Sequence, residues 1–379
     1  MKVLLLDTAF AAAPIYEYLS RAGHEVWVMG NRPNDLLAKM AGQKWIQQDY
    51  SQIQAVKHHI ERCDIKYVVP GCTDVSIETV LGLQMNSNLF DAPETNYILS
   101  NKQAFRCLCD QLNLPAPRVM KEDDFPMEGR FICKPVDAFS GRGITVFEGT
   151  DRNTLDAALR IARKASPTSR ALIETFVSGP LYSCSAFVEN HRLAEAFYVL
   201  EGSSANPFAV DTSYVVYHLP ASCADVLKES LETLCTALRL KDGLLHTQFI
   251  LAESLPVIVE VSRRCPGDLY SLLIEYSTGF RYAAKYASYF IEAQQESRKT
   301  ERRHVLRHTV TSIEDAIFAG LKFDAPRAVC SFFPVHVMGQ ELSAREGTRA
   351  GILFCEVSTY EQLLEEYELF ISRSAYYLG

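Results

Sequence analysis

The sequence predicts a mixed α/β and α+β fold: a doubly wound parallel unit at the N-terminal end, an α+β body after it, and a small C-terminal α+β unit. Three observations carry this expectation. Short apolar runs alternate with helix-length segments from Val3 to Leu83, the texture changes at Lys102 to strands and Gly-rich loops mixed with helices, and 379 residues exceed what one hydrophobic core usually organises.

The first unit reads as β-α-β: an apolar run at Val3 to Leu6, a helix from Ala12 to Arg21, a break at Gly23 and a second run at Val26 to Met29. A helix from Gln52 to Arg62, a strand from Tyr67 to Val69, a Pro70-Gly71 turn and a helix from Val75 to Leu83 continue the alternation. The loop after the first strand, DTAFAAAP, lacks the G-x-G-x-x-G that lets backbone amides approach a pyrophosphate, which disfavours a dinucleotide site there. Beyond residue 100 come a helix from Lys102 to Asn113 and a turn flanked by Pro115 and Pro117. The stretch ESRKTERRHVLRH, residues 296 to 308, reads as a solvated linker or exposed helix end. After it, Ala328 to Met338 is strand-like and Tyr360 to Ser372 has helical periodicity.

A net charge of −8 offers no positive field to gather phosphate backbones or anionic lipids, so neither nucleic acid nor membrane is an expected partner. No stretch approaches the roughly 20 apolar residues of a membrane span, and Asp7 interrupts the apolar start, which therefore reads as a strand and not as a signal peptide. Eleven scattered cysteines, without C-x-x-C or zinc-finger spacing, suit reduced thiols in the cytoplasm.

Three segments carry chemistry. In RFICKPVDAFSGRGITVF, residues 130 to 147, Lys134 precedes a loop containing Ser140, Gly141 and Gly143; small residues let amides close over phosphate oxygens while the ammonium adds a compact charge. Taken alone, the segment reads equally as an ordinary Gly-rich hairpin. In ALIETFVSG, residues 171 to 179, a strand edge bearing Glu174 offers backbone groups and a carboxylate to a purine edge, and alone it reads as an edge strand. In LLHTQFILAESLPVIVEVSRRCPGD, residues 244 to 268, two paired strands bring Gln248 and Glu260 within reach of each other, an oxygen set suited to Mg²⁺, and Arg263-Arg264 follows.

In this order the segments resemble the ATP-grasp superfamily, with the first hundred residues similar to its preceding Rossmann-like domain. The resemblance implies domains at 1–100, 101–300 (ATP-grasp, with a flap subdomain at about 117–178) and 301–379. It implies ATP and Mg²⁺ (or Mn²⁺) as cofactors. Lys102, in SNKQAF, and Lys134 become the phosphate lysines, Ser140 to Gly143 the flap, and Glu174 with the backbone of Phe176 and Val177 the adenine contacts. Gln248, Glu260 and Ser262 fall at metal positions and Arg264 at the catalytic, phosphate-stabilising position. CPGDLYSLLIEYSTG is similar to the RPGGD stretch of amino-acid ligases, which makes Gly267 a substrate candidate; His246 and Asp74 join it, with a packed histidine and a helix N-cap as their alternatives.

Three residues depart from the family pattern: Leu181 stands for a ribose-binding Glu, Ser262 for a metal-binding Asn, and Gln248 removes a charge that Glu201 or Glu253 could restore. The implied activity is a carboxylate–amine ligase working through an acyl phosphate and releasing ADP, with small-molecule carboxylate and amine substrates, amino acids among them. A bicarbonate-dependent carboxylase and a non-catalytic nucleotide binder are the alternatives. The oligomeric state stays open, a homodimer being the commonest closed assembly.

Overall fold

The computed structural model describes residues 1–138, 141–293, 298–344 and 347–378. At its N-terminal end four parallel strands stand in the order Trp45–Gln47, Glu25–Gly30, Lys2–Leu6, Tyr67–Pro70. The register pairs Val3 with Val26 and Leu5 with Val69, and Val3 to Leu6 have no solvent exposure. A strand covered on both faces reads as a continuous apolar run, which is why this one could be mistaken for a leader. Helices Ala13–Arg21, Ile53–Cys63 and Asp74–Leu83 lie where the periodicity put them, within one residue at each end. Asp7 follows the first strand, and its buried carboxylate accepts from the N–H of Ala9 and of Cys72, each at 2.9 Å. It ties the first loop to the fourth, and a Cβ at Gly71 would lie 2.2 Å from that of Asp7.

Two antiparallel sheets follow. The smaller has the order Val119–Met120, Ala171–Thr175, Arg130–Pro135, Thr145–Glu148. The larger has eight strands, in the order Leu255–Ser262, Gly243–Ala252, Leu181–Glu189, Arg192–Gly202, Thr212–Val216, His304–Thr311, Arg349–Val357, Val329–Pro334. On one face of the large sheet, Cys184, Ala186 and Phe249 pack with Leu227 and Leu231 of helix Ala221–Ala237 and Phe105 of helix Lys102–Gln111. On the other, Phe187, Phe197 and Val199 share a core with Tyr270, Tyr282 and the N-terminal sheet.

Two expectations change. The C-terminal region does not build its main sheet apart: three of its strands extend the central one. And the basic stretch ends in a strand, not in solvent, since Arg307 and His308 are 3% and 1% exposed inside His304–Thr311. Both side chains are satisfied there, Arg307 by Ser213 Oγ (3.0 Å) and the Asp268 carbonyl (2.9 Å), His308 by Thr212 Oγ1 (2.7 Å) and the Tyr376 hydroxyl (3.1 Å). Among the described residues no helix is long and apolar enough to cross a membrane. All eleven cysteines are unpaired, and only Cys107 and Cys330 are exposed.

Arg263 fastens the body to the segment that leaves the N-terminal unit. Its guanidinium donates to Asp91 (2.7 Å) and to the carbonyls of Leu244 (2.6 Å) and Lys241 (2.5 Å), almost out of contact with water. Replacing it by alanine leaves the largely buried Asp91 carboxylate without a counter-charge, its remaining partner being the Lys241 N–H at 2.7 Å, so Arg263→Ala should lower the unfolding free energy in urea by about 3–5 kcal/mol. Burial also pushes the His308 imidazole down from 6.5 to about 3. The folded pKa lies below the unfolded one, so the unfolded chain binds a proton that the folded chain refuses between these values, and stability falls as the pH drops through that window. In urea titrations His308→Gln should flatten the stability profile between pH 6 and 4 by up to about 1.4 kcal/mol per pH unit relative to wild type; parallel profiles would contradict a buried neutral imidazole.

Candidate active site

The site is built around Glu174, which has no solvent exposure. Its two carboxylate oxygens face two cations, Lys134 Nζ at 2.5 Å and Arg106 Nε at 2.6 Å, both equally buried. The sheet sets half of this geometry: Glu174 pairs with Ile132 and Lys134 with Leu172 on adjacent antiparallel strands. The helix Lys102–Gln111 sets the rest. It starts where it does because the Asn101 side chain accepts from the Ala104 N–H (3.0 Å), an N-cap that places Lys102 at the first helical position and Arg106 one turn later on the same side. Lys102 Nζ donates to the Ala138 carbonyl at 2.8 Å, three residues beyond the strand that carries Lys134.

Burial pushes the Lys134 ammonium below its ordinary pKa, with Glu174 opposing and Arg106 and Lys102 adding to the fall. Burial alone would raise the Glu174 carboxyl, but Lys134 and Arg106 together hold it below its usual range. Glu174 is committed to these cations, so an adenine edge at this point would be read by backbone. Of the Phe176 backbone the N–H donates to the Arg130 carbonyl (3.0 Å), which leaves the carbonyl and the Val177 peptide for that task.

Arg106 was not singled out from the sequence, and it joins this cluster to the strand bearing Glu260. Its second amino group donates to the Val259 carbonyl at 2.6 Å. That carbonyl is available because the strand bulges: Gln248 pairs with Glu260 and Phe249 with Ile258, so Val259 is the extra residue. A two-residue turn, Glu253-Ser254, with both φ positive (47° and 75°), closes the hairpin and fixes its register.

That register puts a polar row on one face of the large sheet. Opposed residues of an antiparallel pair share a face; Glu260 opposes Gln248, Gln248 opposes Ser183, and Glu201 opposes Ser213, which opposes Arg307. Gln248 Nε2 donates to Glu201 Oε2 in a short hydrogen bond. One row over, Ser262 opposes His246, and its Oγ is buried with no hydrogen-bond partner among the described residues. Glu260 is exposed. Glu253 sits at the exposed hairpin tip, so of the two replacement carboxylates Glu201 is the one that reaches Gln248.

His246 adopts the packed arrangement: Nδ1 bonds Ser185 Oγ (3.1 Å), the ring meets Tyr270 edge-on (5.2 Å between centroids), and burial pushes it down to about 3. The structure brings Asp74 and Arg264 together across 190 residues in a two-pronged ion pair, Nε to Oδ1 at 2.8 Å and Nη2 to Oδ2 at 3.1 Å. The helix cap expected of Asp74 is made instead by Thr73, whose Oγ1 accepts from the Ser76 N–H at 3.1 Å. Gly267 opens the turn into helix Tyr270–Thr278, with open space where a side chain would project.

Of the flap, Ser140 lies outside the described residues, whereas Gly141 and Gly143 have φ of 70° and 73°. A Cβ at Gly141 would lie 2.5 Å from the Phe208 carbonyl oxygen, so the flap touches a second loop, between the strands Arg192–Gly202 and Thr212–Val216. Asp211 stiffens that second loop by accepting from the N–H groups of Ser204 (2.9 Å) and Ala205 (3.1 Å).

Among the described residues no three His, Cys, Asp or Glu side chains converge as a metal cage. The oxygen set of Glu260, the Gln248 amide and the orphaned Ser262 hydroxyl nevertheless fits Mg²⁺, which takes one or two carboxylates and completes its shell with substrate oxygens and water.

No protein-family model matches the sequence, and no curated protein matches it. Solved structures do. An L-amino acid ligase from Bacillus licheniformis superposes with a TM-score of 0.79 at 15% identity, covering 100% of this chain and 98% of that one. A phosphoribosylglycinamide synthetase from Anaerococcus prevotii gives 0.78 at 14%, covering 100% and 99%. The biotin carboxylase domain of a Hydrogenobacter thermophilus 2-oxoglutarate carboxylase, solved with MgADP, ADP and bicarbonate, gives 0.75 at 11%, covering 100% and 90%. These neighbours are ATP-grasp ligases, and the chain has their fold.

Proposed function

We propose that this chain is an ATP-dependent ligase that phosphorylates a substrate carboxylate and joins it to an amine, releasing ADP and phosphate. The observation that carries the reading is the double engagement of Arg106, which holds Glu174 beside Lys134 on one sheet and the Val259 carbonyl, next to Glu260, on the other. A fold alone does not imply an activity. Here a pair of lysines suited to phosphate and a set of oxygen donors suited to Mg²⁺ are locked together by one buried cation.

In this reading Lys134 and Lys102 take the nucleotide phosphates, and Val177 with the Phe176 carbonyl takes the adenine. Glu260, Gln248 and Ser262 hold the divalent cation, which neutralises phosphate charge when bound. Arg264 meets the charge that builds up on the transferring group, and Asp74 fixes the plane of its guanidinium beforehand. The reaction needs no nucleophile from the protein; it needs alignment, charge neutralisation and exclusion of water, the last supplied by the loops at Gly141 and Phe208. His246, neutral across the physiological range, contributes polarity without charge. For the substrate class we favour amino acids, supported by the likeness to the Bacillus licheniformis ligase and by the Cys265-Pro266-Gly267-Asp268 turn.

The test is ADP release from Mg·ATP across pools of amino acids and small carboxylates, with and without bicarbonate. One acid together with one amine should trigger turnover, and Glu260→Ala should lower kcat/KM by about 100-fold or more. Release that needs bicarbonate and no organic acid would establish the carboxylase reaction in its place. Nucleotide binding with no release from any pool would make the chain a non-catalytic binder.

A further inference from the structure

Gln248 stands where a ligand to the cation is expected, yet an amide brings no charge, and the site would hold Glu260 as its single carboxylate. The polar row shows where a second charge is. Glu201 lies two strands away on the same face and is 7% exposed. Gln248 Nε2 donates to Glu201 Oε2, so the amide nitrogen faces Glu201 and Oε1 is turned the other way. Burial pushes the Glu201 carboxyl above its ordinary value and the charge of Glu260 adds to the rise, while a hydrogen bond from Ser183, itself held by Tyr270 at 3.0 Å, the Gln248 amide and the Arg307 charge oppose it. Ser183 and Gln248 bond to Glu201, and Gln248 links it to the strand position opposite Glu260.

We propose that Glu201 is a positioning residue for the divalent cation: it orients Gln248 so that the amide oxygen is a ligand, and it supplies from one layer back the negative charge that Gln248 lacks. Two carboxylates, Glu260 and Glu201, then balance the cation, one as ligand and one through the amide. A carboxylate behind a ligand polarises it and fixes its orientation, and losing such a partner typically costs 10–100-fold in metal affinity. The arrangement rests on the ligase reading above, which assigns the cation to this place.

Exchanging the two side chains tests it. Mn²⁺ binding to the full-length chain is followed by electron paramagnetic resonance in the presence of a non-hydrolysable ATP analogue, with thermal melting of each variant as the control for folding. Glu201→Gln should weaken Mn²⁺ binding about 10–100-fold. The double variant Glu201→Gln/Gln248→Glu keeps the hydrogen bond with donor and acceptor exchanged and the net charge unchanged, and its Mn²⁺ affinity should return to within a few-fold of wild type. Unchanged affinity in Glu201→Gln, or a loss that the folded double variant does not recover, overturns the proposal, the second result leaving Glu201 a purely structural role. Should Glu201→Gln alone not fold, the double variant decides by itself. Wild-type protein that takes up the nucleotide analogue but no Mn²⁺ would instead remove the cation from the ligase reading.

Discussion

A carboxylate without contact to water, held between two cations from different parts of the chain, is the interaction on which the rest of the site depends. Glu174 can be buried as an anion because Lys134 and Arg106 face its two oxygens, and each cation can be buried because Glu174 is there. Removing Glu174 would leave two cations buried without a counter-charge, a penalty of several kcal/mol, whereas removing either cation leaves Glu174 one partner. The pair is therefore rigid as well as costly to disturb. Rigidity places the Lys134 ammonium and, through Arg106, the strand that carries Glu260 in one frame.

That frame depends on a defect in the sheet. An unbroken ladder would satisfy the Val259 carbonyl with a neighbouring strand; the bulge frees it for Arg106 while keeping Gln248 and Glu260 opposed. The same register carries polar side chains inward along a row that an ordinary core would fill with apolar ones. Most find a partner, Ser183 with Tyr270, Ser185 with Tyr282 at 2.6 Å and Arg307 with the Asp268 carbonyl, Ser262 being the exception, so the layer stays packed and dry enough to push His246 far below its usual pKa. The Asp74–Arg264 pair then sets the N-terminal sheet against this layer.

Much of this was legible in the sequence where the signal is local. The parallel strands at Val3 and Val26, the helix from Lys102, the hairpin that opposes Gln248 to Glu260 and the Gly141 loop all follow from periodicity, caps and turn residues. What escaped depends on pairing between distant segments. Arg106 looks like a solvent-facing residue of an amphipathic helix until Glu174 is brought against it, though its spacing of four from Lys102 was the available signal. Arg307 and His308 made a buried strand look like a charged linker, because their partners, Ser213, Asp268, Thr212 and Tyr376, are 39 to 96 residues away. Glu201 could be named as a replacement charge but not placed, since its distance from Gln248 depends on the order of three strands.

The central claim is that the lysine anchored by Glu174 is also the one that takes the nucleotide phosphates. Calorimetric titration of a non-hydrolysable ATP analogue with Mg²⁺ into wild type and Lys134→Met tests it most directly, because Glu174 keeps Arg106 as a partner in the variant. The account predicts a folded variant whose nucleotide affinity falls by at least about 10-fold, the worth of one charge-assisted contact. Equal affinities in two equally folded proteins would contradict it, and would leave the buried trio a structural element with the nucleotide elsewhere.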